Sequence, residues 1–466
     1  MATLTFCGAA QQVTGSLYLI RTARHAVLLE CGMTQGKEEL RSGTEPDFPF
    51  EAAKIDAVIV SHAHLDHSGM LPLLVAKGFS GIVYLTRPSN DLLPIMLNDA
   101  ASLHQRDVQW ENRKRQRAGK RPVEPLYSRN DIERALGFCE GIDYGEKISV
   151  VHGIDLRFRD AGHILGSAIV ELWFGDAGQR RKLVFSGDLG NNYAPLMKDP
   201  EILLEADVVL MESTYGSRNH RALEETLDEF KGVIEYAAKN KGNILIPAFA
   251  VGRTQDLIYR LGELYHEGRL DYQRVYIDSP MAIRVTDVYE RHQSLFNHDD
   301  PAFRNMVRGG WDNWLPNLAY TSSTEESMAL NRITGGAIII AGSGMCTGGR
   351  IRHHLKHNLW RPTAHVVFVG YQARGTLGRA LVDGAKMVRI FRDDIAVKAQ
   401  IHTLGGLSAH AGQSQLIDWV SHFEKPRPRL YLVHGELREM LALQKALVDR
   451  LDWKAAIPEQ GDVIEL

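Results

Sequence analysis

Short runs of apolar and β-branched residues, separated by glycine-containing turns, characterise the first part of the chain. Their length and their alternation of apolar with polar positions predict β-strands. These runs are residues 3–7, 16–20, 26–30, 56–60, 166–173, 182–186 and 206–212.

The pattern changes at about residue 217, where polar helical stretches begin to alternate with strongly apolar runs. The apolar runs are residues 243–250, 274–278, 337–344 and 365–371. Buried strands that alternate with helices indicate a parallel, Rossmann-like α/β sheet. Because RLYLVHGE at 429–436 returns to the short strand-like pattern of the first part of the chain, we expect this sheet to form a domain inserted into the first one.

Length and composition are those of a globular protein with two domains. A chain of 466 residues is too long for one ordinary core, and its 44% hydrophobic and 24% charged residues are typical of soluble proteins. The opening MATLTFCGAAQQ lacks a signal-peptide pattern, and no segment is long and apolar enough to span a membrane. The four cysteines are scattered without a CxxC pair, which disfavours a thiolate zinc site and predicts a reducing, cytoplasmic location.

Charge leaves the class of substrate open. The net charge of −3 is unlike that of proteins that coat duplex DNA, which carry a strong basic excess. An enzyme with a locally cationic cleft is still allowed. The dense charge run RKRQRAGKR at 113–121 is more typical of a solvated helix face, and a contribution to the rim of an RNA-binding cleft is the alternative.

The segment SHAHLDHSG at 61–69 carries the main chemical signal. It places His62, His64, Asp66 and His67 within six residues, directly after an apolar strand. Imidazole and carboxylate groups are ligands that Zn²⁺ accepts, and their crowding would be unfavourable without a cation. A chance cluster of histidines is a poor explanation for this spacing, so we predict a metal site.

Further ligands are expected at other strand ends, because one loop cannot complete two metal sites. His163 lies between Gly162 and Gly166, Asp188 follows a strand in VFSGDLG, and His434 ends a strand in YLVHGE. Each of the three is a weak signal alone, since an aspartate after a strand is usually a turn residue and a single histidine is usually structural. Together with the first loop they give seven candidate ligands.

The order of these motifs resembles the metallo-β-lactamase superfamily and its αββα sandwich. The matching motifs are His-x-His-x-Asp-His, then GH, then SGD. MESTYG at 211–216, LSAH at 407–410 and VHGE at 433–436 resemble the motifs of β-CASP nucleases, as do IPAFAVGRTQ, GSGMCTGGR and GYQARGTLGR. The resemblance covers essentially the whole chain. It implies a ribonuclease related to the endonuclease of mRNA 3′-end processing and to RNase J.

The resemblance also implies how two zinc ions per chain would be held. One ion would take His62, His64 and His163 and the other Asp66, His67 and His434, with Asp188 bridging both. The chain departs from the family at Glu30 in LLECGMTQG, where an aspartate is usual. That position is expected to support the ligands from behind. Manganese is a conceivable alternative to zinc.

A catalytic set follows from the same resemblance. A hydroxide shared by the two metals would attack phosphorus, which makes the ligand Asp66 part of the catalytic set. His410 would protonate the leaving oxygen, oriented by Glu212. Without the family context, Glu212 would be interpreted as a solvent-facing charge and His410 as a neighbour of a helix capped by Ser408.

Substrate contacts are expected around the second group of motifs. Ser343 and Gly344 follow a strand and precede Arg350, a layout that can offer backbone N–H groups and cations to phosphates. Arg253 at a helix start can act in the same way, and Ser408 is a further candidate. Ordinary strand–turn–helix chemistry with solvated arginines explains these residues equally well.

We therefore expect an α/β protein with an αββα metallo-β-lactamase domain formed by residues 1–215 and 396–466 and a β-CASP domain formed by residues 216–395. An active site in a cleft between the domains would favour single-stranded RNA. Endonucleolytic cleavage is expected, and 5′→3′ trimming by the same metals is compatible with it. A homodimer is allowed but not specified. The alternatives are a DNA nuclease, a hydrolase of carbonyl substrates such as thioesters, and a non-catalytic subunit.

Overall fold

The computed structural model describes residues 2–34, 47–175, 180–192, 194–270, 274–297 and 309–466. The chain divides into two compact units. The first contains residues 1–192, 199–219 and 410–466, and the second contains residues 193–198 and 220–409.

Two mixed β-sheets form the centre of the first unit. In the described residues one sheet has the order β21-β1-β2-β3-β4-β5-β6 and the other the order β20-β11-β10-β9-β8-β7. The strands of the first sheet are β1 (Thr3–Gly8), β2 (Leu17–Arg21), β3 (Ala26–Leu29), β4 (Ala57–Ile59), β5 (Ile82–Thr86), β6 (Cys139–Ile142) and β21 (Val463–Glu465). Those of the second are β7 (Lys147–Val151), β8 (Ile154–Asp160), β9 (Ala168–Phe174), β10 (Arg181–Phe185), β11 (Val208–Glu212) and β20 (Arg429–Val433).

Side chains from both sheets share one apolar core. Phe6 and Tyr18 of the first sheet are fully buried in the same cluster as Phe158 and Phe185 of the second. Alternate residues of each strand point to opposite faces, so each sheet has a second apolar face to cover. On the outer face of the second sheet this is done by helices whose apolar residues pack against it.

The helices of the first unit complete an αββα sandwich, as the sequence predicted. They are α1 (Leu65–Ser68), α2 (Leu71–Ala76), α3 (Arg87–Arg117), α4 (Arg129–Gly137), α11 (Gln413–Ser421) and α12 (Leu437–Leu451), with a 3₁₀ turn at Ala52–Lys54. Helices α11 and α12 cover the second sheet with residues such as Trp419 and Leu443. Helix α3 contacts strands β5 and β6 of the first sheet, and α4 packs against helices α2 and α3.

A parallel sheet organises the second unit, which confirms the predicted Rossmann-like arrangement. Its order in the described residues is β14-β13-β15-β12-β16-β19, and every pairing is parallel. The strands are β12 (Ile244–Pro247), β13 (Arg274–Ile277), β14 (Leu318–Tyr320), β15 (Ala337–Ala341), β16 (His365–Phe368) and β19 (Gln400–Thr403), and β17 (Met387–Ile390) and β18 (Asp393–Ala396) form a separate hairpin. The helices are α5 (Leu223–Lys239), α6 (Arg253–His266), α7 (Pro280–Arg291), α8 (Thr324–Leu330), α9 (Ile351–Asn358) and α10 (Leu377–Val382), with a 3₁₀ turn at Gln293–Leu295.

The structure divides the chain differently from the expected boundaries. The second unit continues to Ala409 instead of ending at 395, because β19 pairs with β16 and extends the parallel sheet. It also begins at His220 rather than at 216 and includes the short segment 193–198. Strand pairing between distant segments sets such a boundary, so the local pattern of apolar and polar residues does not reveal it.

None of the helices in the described residues has the length and apolar character needed to cross a membrane.

Candidate metal centre

The first cluster of candidate ligands lies in the loop between β4 and α2, which contains the single turn of α1. Backbone hydrogen bonds hold this loop against the neighbouring chain: the N–H groups of Ser16 and Cys31 donate to the carbonyls of Asp66 and His67 at 2.9 and 2.8 Å. Gly32 is required there, since a Cβ atom at this residue would lie 1.7 Å from the Asp66 carbonyl oxygen. The position of the ligands is therefore set by backbone packing.

Adjacent strand ends bring the remaining ligands to the same edge. Strands β10, β11 and β20 are parallel neighbours, so Asp188, Glu212 and His434, which follow or end them, meet at one end of the sheet. His163 lies in the turn between β8 and β9, and β9 runs antiparallel to β10, so this turn reaches the same edge.

His62, His64, His163 and Asp188 form one group of donors whose ligand atoms lie within 4.8 Å of one another. His62 Nε2 and His163 Nε2 lie 3.0 and 3.3 Å from His64 Nδ1. Asp188 Oδ2 lies 3.5 Å from His62 Nε2 and 3.7 Å from His163 Nε2. This is the group that the sequence assigned to one ion.

Asp66, His67 and His434 form the second group. His67 Nε2 and His434 Nε2 are 3.1 Å apart, and Asp66 Oδ2 lies 3.6 Å from His434 Nε2. His67 and His434 are buried, whereas Asp66 is partly exposed. The members match those assigned to the other ion.

Asp188 joins the two groups. Its Oδ2 atom faces His62 and His163, while its Oδ1 atom lies 3.3 Å from His67 Nε2 and 3.6 Å from His434 Nδ1. Oδ1 is buried and accepts no hydrogen bond from the described residues. A buried carboxylate oxygen without a donor is unfavourable unless a cation neutralises it, so the residues present fit a pair of metal ions.

Two histidines of the cluster are held in the form that a metal needs, whereas Asp188 and Glu30 outweigh burial and raise the pKa of His67 well above its usual range. Burial lowers the pKa of His62 and of His64, which favours the neutral imidazole that a metal needs. Burial alone would raise the pKa of Asp188, but the imidazoles of His434 and His67 outweigh it and hold that pKa well below its usual range. Facing imidazole lone pairs repel one another, and a cation between them removes this repulsion.

Glu30 supports His67 from behind the cluster. Its carboxylate is fully buried, and Oε2 lies 2.8 Å from His67 Nδ1 while Oε1 accepts a hydrogen bond from the Ser61 N–H at 2.6 Å. The bond at Nδ1 leaves His67 Nε2 directed at Asp188 and His434. Such carboxylate–histidine pairs fix the tautomer and raise the basicity of a ligand. The departure from aspartate at this position keeps the supporting contact.

Two smaller supports were not expected from the sequence. The Ser61 hydroxyl lies 3.0 Å from His62 Nδ1, and the Thr214 hydroxyl lies 3.2 Å from His434 Nδ1. Each leaves Nε2 of its histidine for a metal. Both residues lie within quoted motifs, SHAHLDHSG and MESTYG, but a hydroxyl within a motif is too common to be a signal.

Glu212 and His410 lie together beside this cluster. His410 Nδ1 is 3.4 Å from Glu212 Oε1 and 3.9 Å from Asp188 Oδ2. Glu212 is fully buried, and its carboxylate accepts hydrogen bonds from the N–H groups of Leu189 and Thr214 at 2.7 and 3.2 Å. Burial would lower the pKa of His410, but Glu212 outweighs it and raises that pKa to about 9. Glu212 thus favours the protonated form of this imidazole next to the ligands.

The helix after LSAH begins later than expected. Helix α11 starts at Gln413 with Gly412 as its N-cap, so the alternative interpretation of His410, in which Ser408 caps this helix, is wrong. The Gly412 N–H donates to the Gln415 side-chain oxygen at 2.8 Å, and this capping bond accompanies the start of the helix at Gln413. Ser408 belongs to the second unit, whereas His410 belongs to the first and bridges Gly190 through its backbone.

The other substrate-contact candidates lie in the second unit. Ser343 follows β15, and its hydroxyl accepts hydrogen bonds from the N–H groups of Thr347 and Gly348 at 3.0 and 3.2 Å. This loop approaches the Phe249 ring so closely that a Cβ atom on Gly344 would lie 2.9 Å from it. Arg253 is the first residue of α6, as predicted.

Arg350 is bonded within the fold of this unit. Its guanidinium donates to Asp278 at 2.8 Å and to the carbonyls of Thr321 and Ser322 at 2.9 and 2.7 Å. The buried Asp278 carboxylate also accepts from the Ser327 hydroxyl at 2.6 Å. These contacts give Arg350 the structural role that the sequence left open.

Two exposed aromatic residues at this end of the parallel sheet were missed. Phe249 follows β12 with 50% of its surface exposed, and Tyr371 follows β16 with 57% exposed. Gln372, next to Tyr371, donates to the Gly344 carbonyl at 3.0 Å, which places both aromatics beside the Ser343–Gly344 loop. The available signal was an aromatic residue two or three residues after each buried strand.

Comparison with known proteins identifies the family. Three family models match successive parts of the chain: the metallo-beta-lactamase superfamily at 11–232, the Beta-Casp domain at 254–381 and the Zn-dependent metallo-hydrolase RNA specificity domain at 394–458. The ribonuclease TTHA0252 of Thermus thermophilus is 42% identical over 95% of each chain. In Methanocaldococcus jannaschii, an RNase J-like protein is 30% identical over 100% of each chain, and the transcription termination factor FttA is 31% identical over 99% of this chain and 71% of its own.

The order of the three domains and the level of identity over nearly the whole chain agree with the geometry of the donor cluster. The chain is a metal-dependent hydrolase of the metallo-β-lactamase superfamily and belongs to its β-CASP family.

Proposed function

We propose that this protein is a ribonuclease that hydrolyses phosphodiester bonds of single-stranded RNA with two zinc ions. The observation that carries the proposal is the position of Asp188, whose two carboxylate oxygens face two separate groups of ligands. The His410–Glu212 pair lies next to the same carboxylate. Paired metal sites of this kind serve in-line displacement at phosphorus.

Each proposed ion would be held by nitrogen and carboxylate donors. One would lie among His62, His64 and His163 and the other among Asp66, His67 and His434, with Asp188 shared. Such a mixed set suits zinc, and no thiolate takes part. When bound, the two ions supply an activated water and positive charge for the phosphate oxygens.

His410 would act as the proton donor to the leaving oxygen. The Glu212 carboxylate keeps its imidazole protonated, and two backbone N–H groups fix the carboxylate in turn. His410 is grouped with Asp188 and Glu212 rather than with either set of histidine ligands, so its ring would approach the substrate without releasing a proposed ion. A positioned general acid of this type typically contributes about 10²–10⁴-fold to a rate.

The second unit offers features suited to single-stranded RNA. Phe249 and Tyr371 expose ring faces on which bases can stack, and the Ser343–Gly344 loop and Arg253 lie at the carboxyl ends of parallel strands. The ribonuclease names of two relatives agree with RNA as the substrate. A thioester or lactone would have no use for this second surface.

Cleavage of end-labelled single-stranded RNA, with the matched DNA in parallel, tests the proposal. Zinc-loaded wild type should cut the RNA, and the variant Asp66→Ala, His67→Ala should not. A matched control is His25→Ala, Asp56→Ala, because His25 and Asp56 form another histidine–aspartate pair, 3.4 Å apart, at the surface. The control variant should cut like the wild type.

Each outcome has a distinct meaning. A ladder of internal products establishes endonucleolytic action, whereas mononucleotides establish trimming from an end. Intact RNA with two metal ions bound per chain would refute the substrate and favour DNA or a carbonyl compound. Intact RNA with no metal bound would refute the ligand assignment.

Location and oligomeric state stay predictions. A reducing, cytoplasmic compartment is supported by the four cysteines, which are all free thiols. A homodimer is the simplest assembly to test, by the molar mass in light scattering coupled to size-exclusion chromatography.

A further inference from the structure

The long helix α3 (Arg87–Arg117) carries an exposed tryptophan in its second half. The Trp110 side chain is 60% exposed, and Lys114 Nζ lies 3.2 Å from the centroid of its ring. A single exposed aromatic ring needs no explanation by itself, so the charged residues around Trp110 decide what this surface can bind.

The opposite side of this helix is packed. Val108 is buried, the Leu126 N–H donates to His104 Nε2 at 3.1 Å, and the Asn112 side chain makes hydrogen bonds of 2.8 and 2.9 Å with the backbone of Val123. The returning chain thus braces one face of the helix. Trp110 takes no part in this packing, so the fold of the helix does not require it.

The residues that share the exposed side are spaced three or four apart, as one helix face requires. We call this side the Trp110 face, and it consists of Leu103, Arg106, Asp107, Trp110, Arg113, Lys114 and Arg117. Leu103 is 46% exposed and is the other apolar member. The face is therefore cationic with one large ring, rather than apolar.

The face carries one carboxylate, that of Asp107, against the four cations of Arg106, Arg113, Lys114 and Arg117. Within the described residues, Arg113 and Arg117 have no carboxylate partner, whereas Arg115, on the braced side, pairs with Glu111 at 3.3 Å. Lys120 and Arg121 extend the positive charge beyond the helix end. The cations of such a surface attract a polyanion, and the Trp110 ring can stack on the bases of a single-stranded nucleic acid.

The other end of α3 is anchored beside the metal centre. The hydroxyls of Thr86 and Ser89 both donate to the Gly166 carbonyl, at 2.6 and 2.8 Å, in the loop that carries His163. From Arg87 to Trp110 the helix rises by about 34 Å, at about 1.5 Å per residue. A stacked strand covers that distance in roughly ten nucleotides, at about 3.4 Å each.

We propose that the Trp110 face is a second binding surface for single-stranded RNA, which holds the substrate at a distance from the metal centre. The inference rests on the proposed ribonuclease function. It predicts that the face contributes to long substrates only, because a short RNA cannot reach both places.

The test compares cleavage of RNA of about 30 nucleotides with RNA of about 6 nucleotides by the zinc-loaded full chain. Trp110→Ala should raise KM for the long RNA by about tenfold, as expected for one lost stacking contact, and leave the short RNA unaffected. Arg113→Ser, Arg117→Ser should flatten the salt dependence of long-RNA binding by about 0.7 logarithmic units per lost phosphate contact. Trp360→Ala is a matched control, since Trp360 is 52% exposed with Arg361 beside its ring.

Binding of the long RNA to Asp66→Ala protein, measured by fluorescence anisotropy, separates the two proposals. If Trp110→Ala weakens binding in this background while the wild-type chain cuts no RNA, the binding surface stands and the ribonuclease function fails. If both RNAs are cut and Trp110→Ala matches the wild type on both, the inference is overturned and a protein partner becomes the better occupant. Equal losses on short and long RNA, or a lowered melting temperature of Trp110→Ala, would also overturn it.

Discussion

Glu30 offers a perturbation that separates metal binding from folding. In Glu30→Gln the side chain keeps its length, and its carbonyl oxygen can still accept from the Ser61 N–H, which now lies 2.6 Å from Oε1. The new NH₂ group, however, faces His67 Nδ1 in place of an oxygen that is 2.8 Å away. Two donors then meet unless His67 moves its proton to Nε2, the atom directed at Asp188 and His434.

The expected loss of metal affinity follows from the position of the His67 proton. A proton on Nε2 removes one ligand, and a lost hydrogen bond leaves the ring poorly oriented. Loss of such a supporting partner typically lowers metal affinity by about 10–100-fold, which is about 1.4–2.7 kcal/mol. Only the group of Asp66, His67 and His434 contains the affected ligand, so we expect one of two ions to be weakened. Glu30→Asp, which keeps the charge but shortens the reach, should fall between Gln and the wild type.

Folding of the metal-free protein should respond differently. Burial raises the pKa of Glu30, so its ionised form opposes folding at neutral pH, and this cost is absent at low pH where the group is protonated. The amide removes the cost, and the melting temperature of metal-free Glu30→Gln should equal or exceed that of the wild type.

Glu171→Gln is the matched control. Glu171 is also fully buried, but it is bonded to Arg157 and Lys182 at 2.5 and 2.6 Å, and these cations outweigh burial and lower its pKa. Its ionised form therefore stabilises the fold above the ordinary glutamate pKa. We expect Glu171→Gln to lose about 1–3 kcal/mol of unfolding free energy and to keep wild-type metal affinity.

Isothermal titration of both metal-free variants with zinc, together with calorimetric melting, would show these opposite effects. The reasoning fails if Glu30→Gln binds two ions with wild-type affinity. It also fails if Glu30→Gln loses stability to the same extent as Glu171→Gln.

Four further predictions concern the two units separately. His410→Ala should lower kcat by about 10²–10⁴-fold with unchanged metal content, checked by single-turnover cleavage and mass spectrometry. Phe249→Ala should raise KM for RNA by about tenfold with little change in kcat. Chelation of the metals should abolish cleavage and lower the melting temperature, and added zinc should restore both. Asp278→Asn should lower the unfolding free energy by about 2–4 kcal/mol. Burial would raise the pKa of Asp278, but hydrogen bonds from His354 and neighbouring hydroxyls hold that pKa at about 2. In denaturation curves the difference between variant and wild type should therefore persist above pH 4 and close towards pH 2.

Much of the chemistry could be predicted from the sequence, because it is local. His62, His64, Asp66 and His67 lie within one loop, and their residue types already specify a metal site. The two kinds of sheet were also readable, since alternation and buried apolar runs reflect which faces of a strand meet the core. Glycine and helix-start signals placed the turns that expose these residues.

Only the tertiary structure shows why these distant residues meet, since their grouping came from the family resemblance and not from their spacing along the chain. Asp188 faces both ligand groups because parallel pairing of β10, β11 and β20 brings three strand ends to one edge, and no spacing along the chain encodes that pairing. The same holds for the Glu30–His67 bond, for β19 joining the second unit, and for the bonds that hold Arg350 in its fold. The face of α3 that is braced, and hence the face that leaves Trp110 exposed, depends on where the returning chain packs. Contacts between residues far apart in the chain are set by the total free energy of packing, which local patterns do not contain.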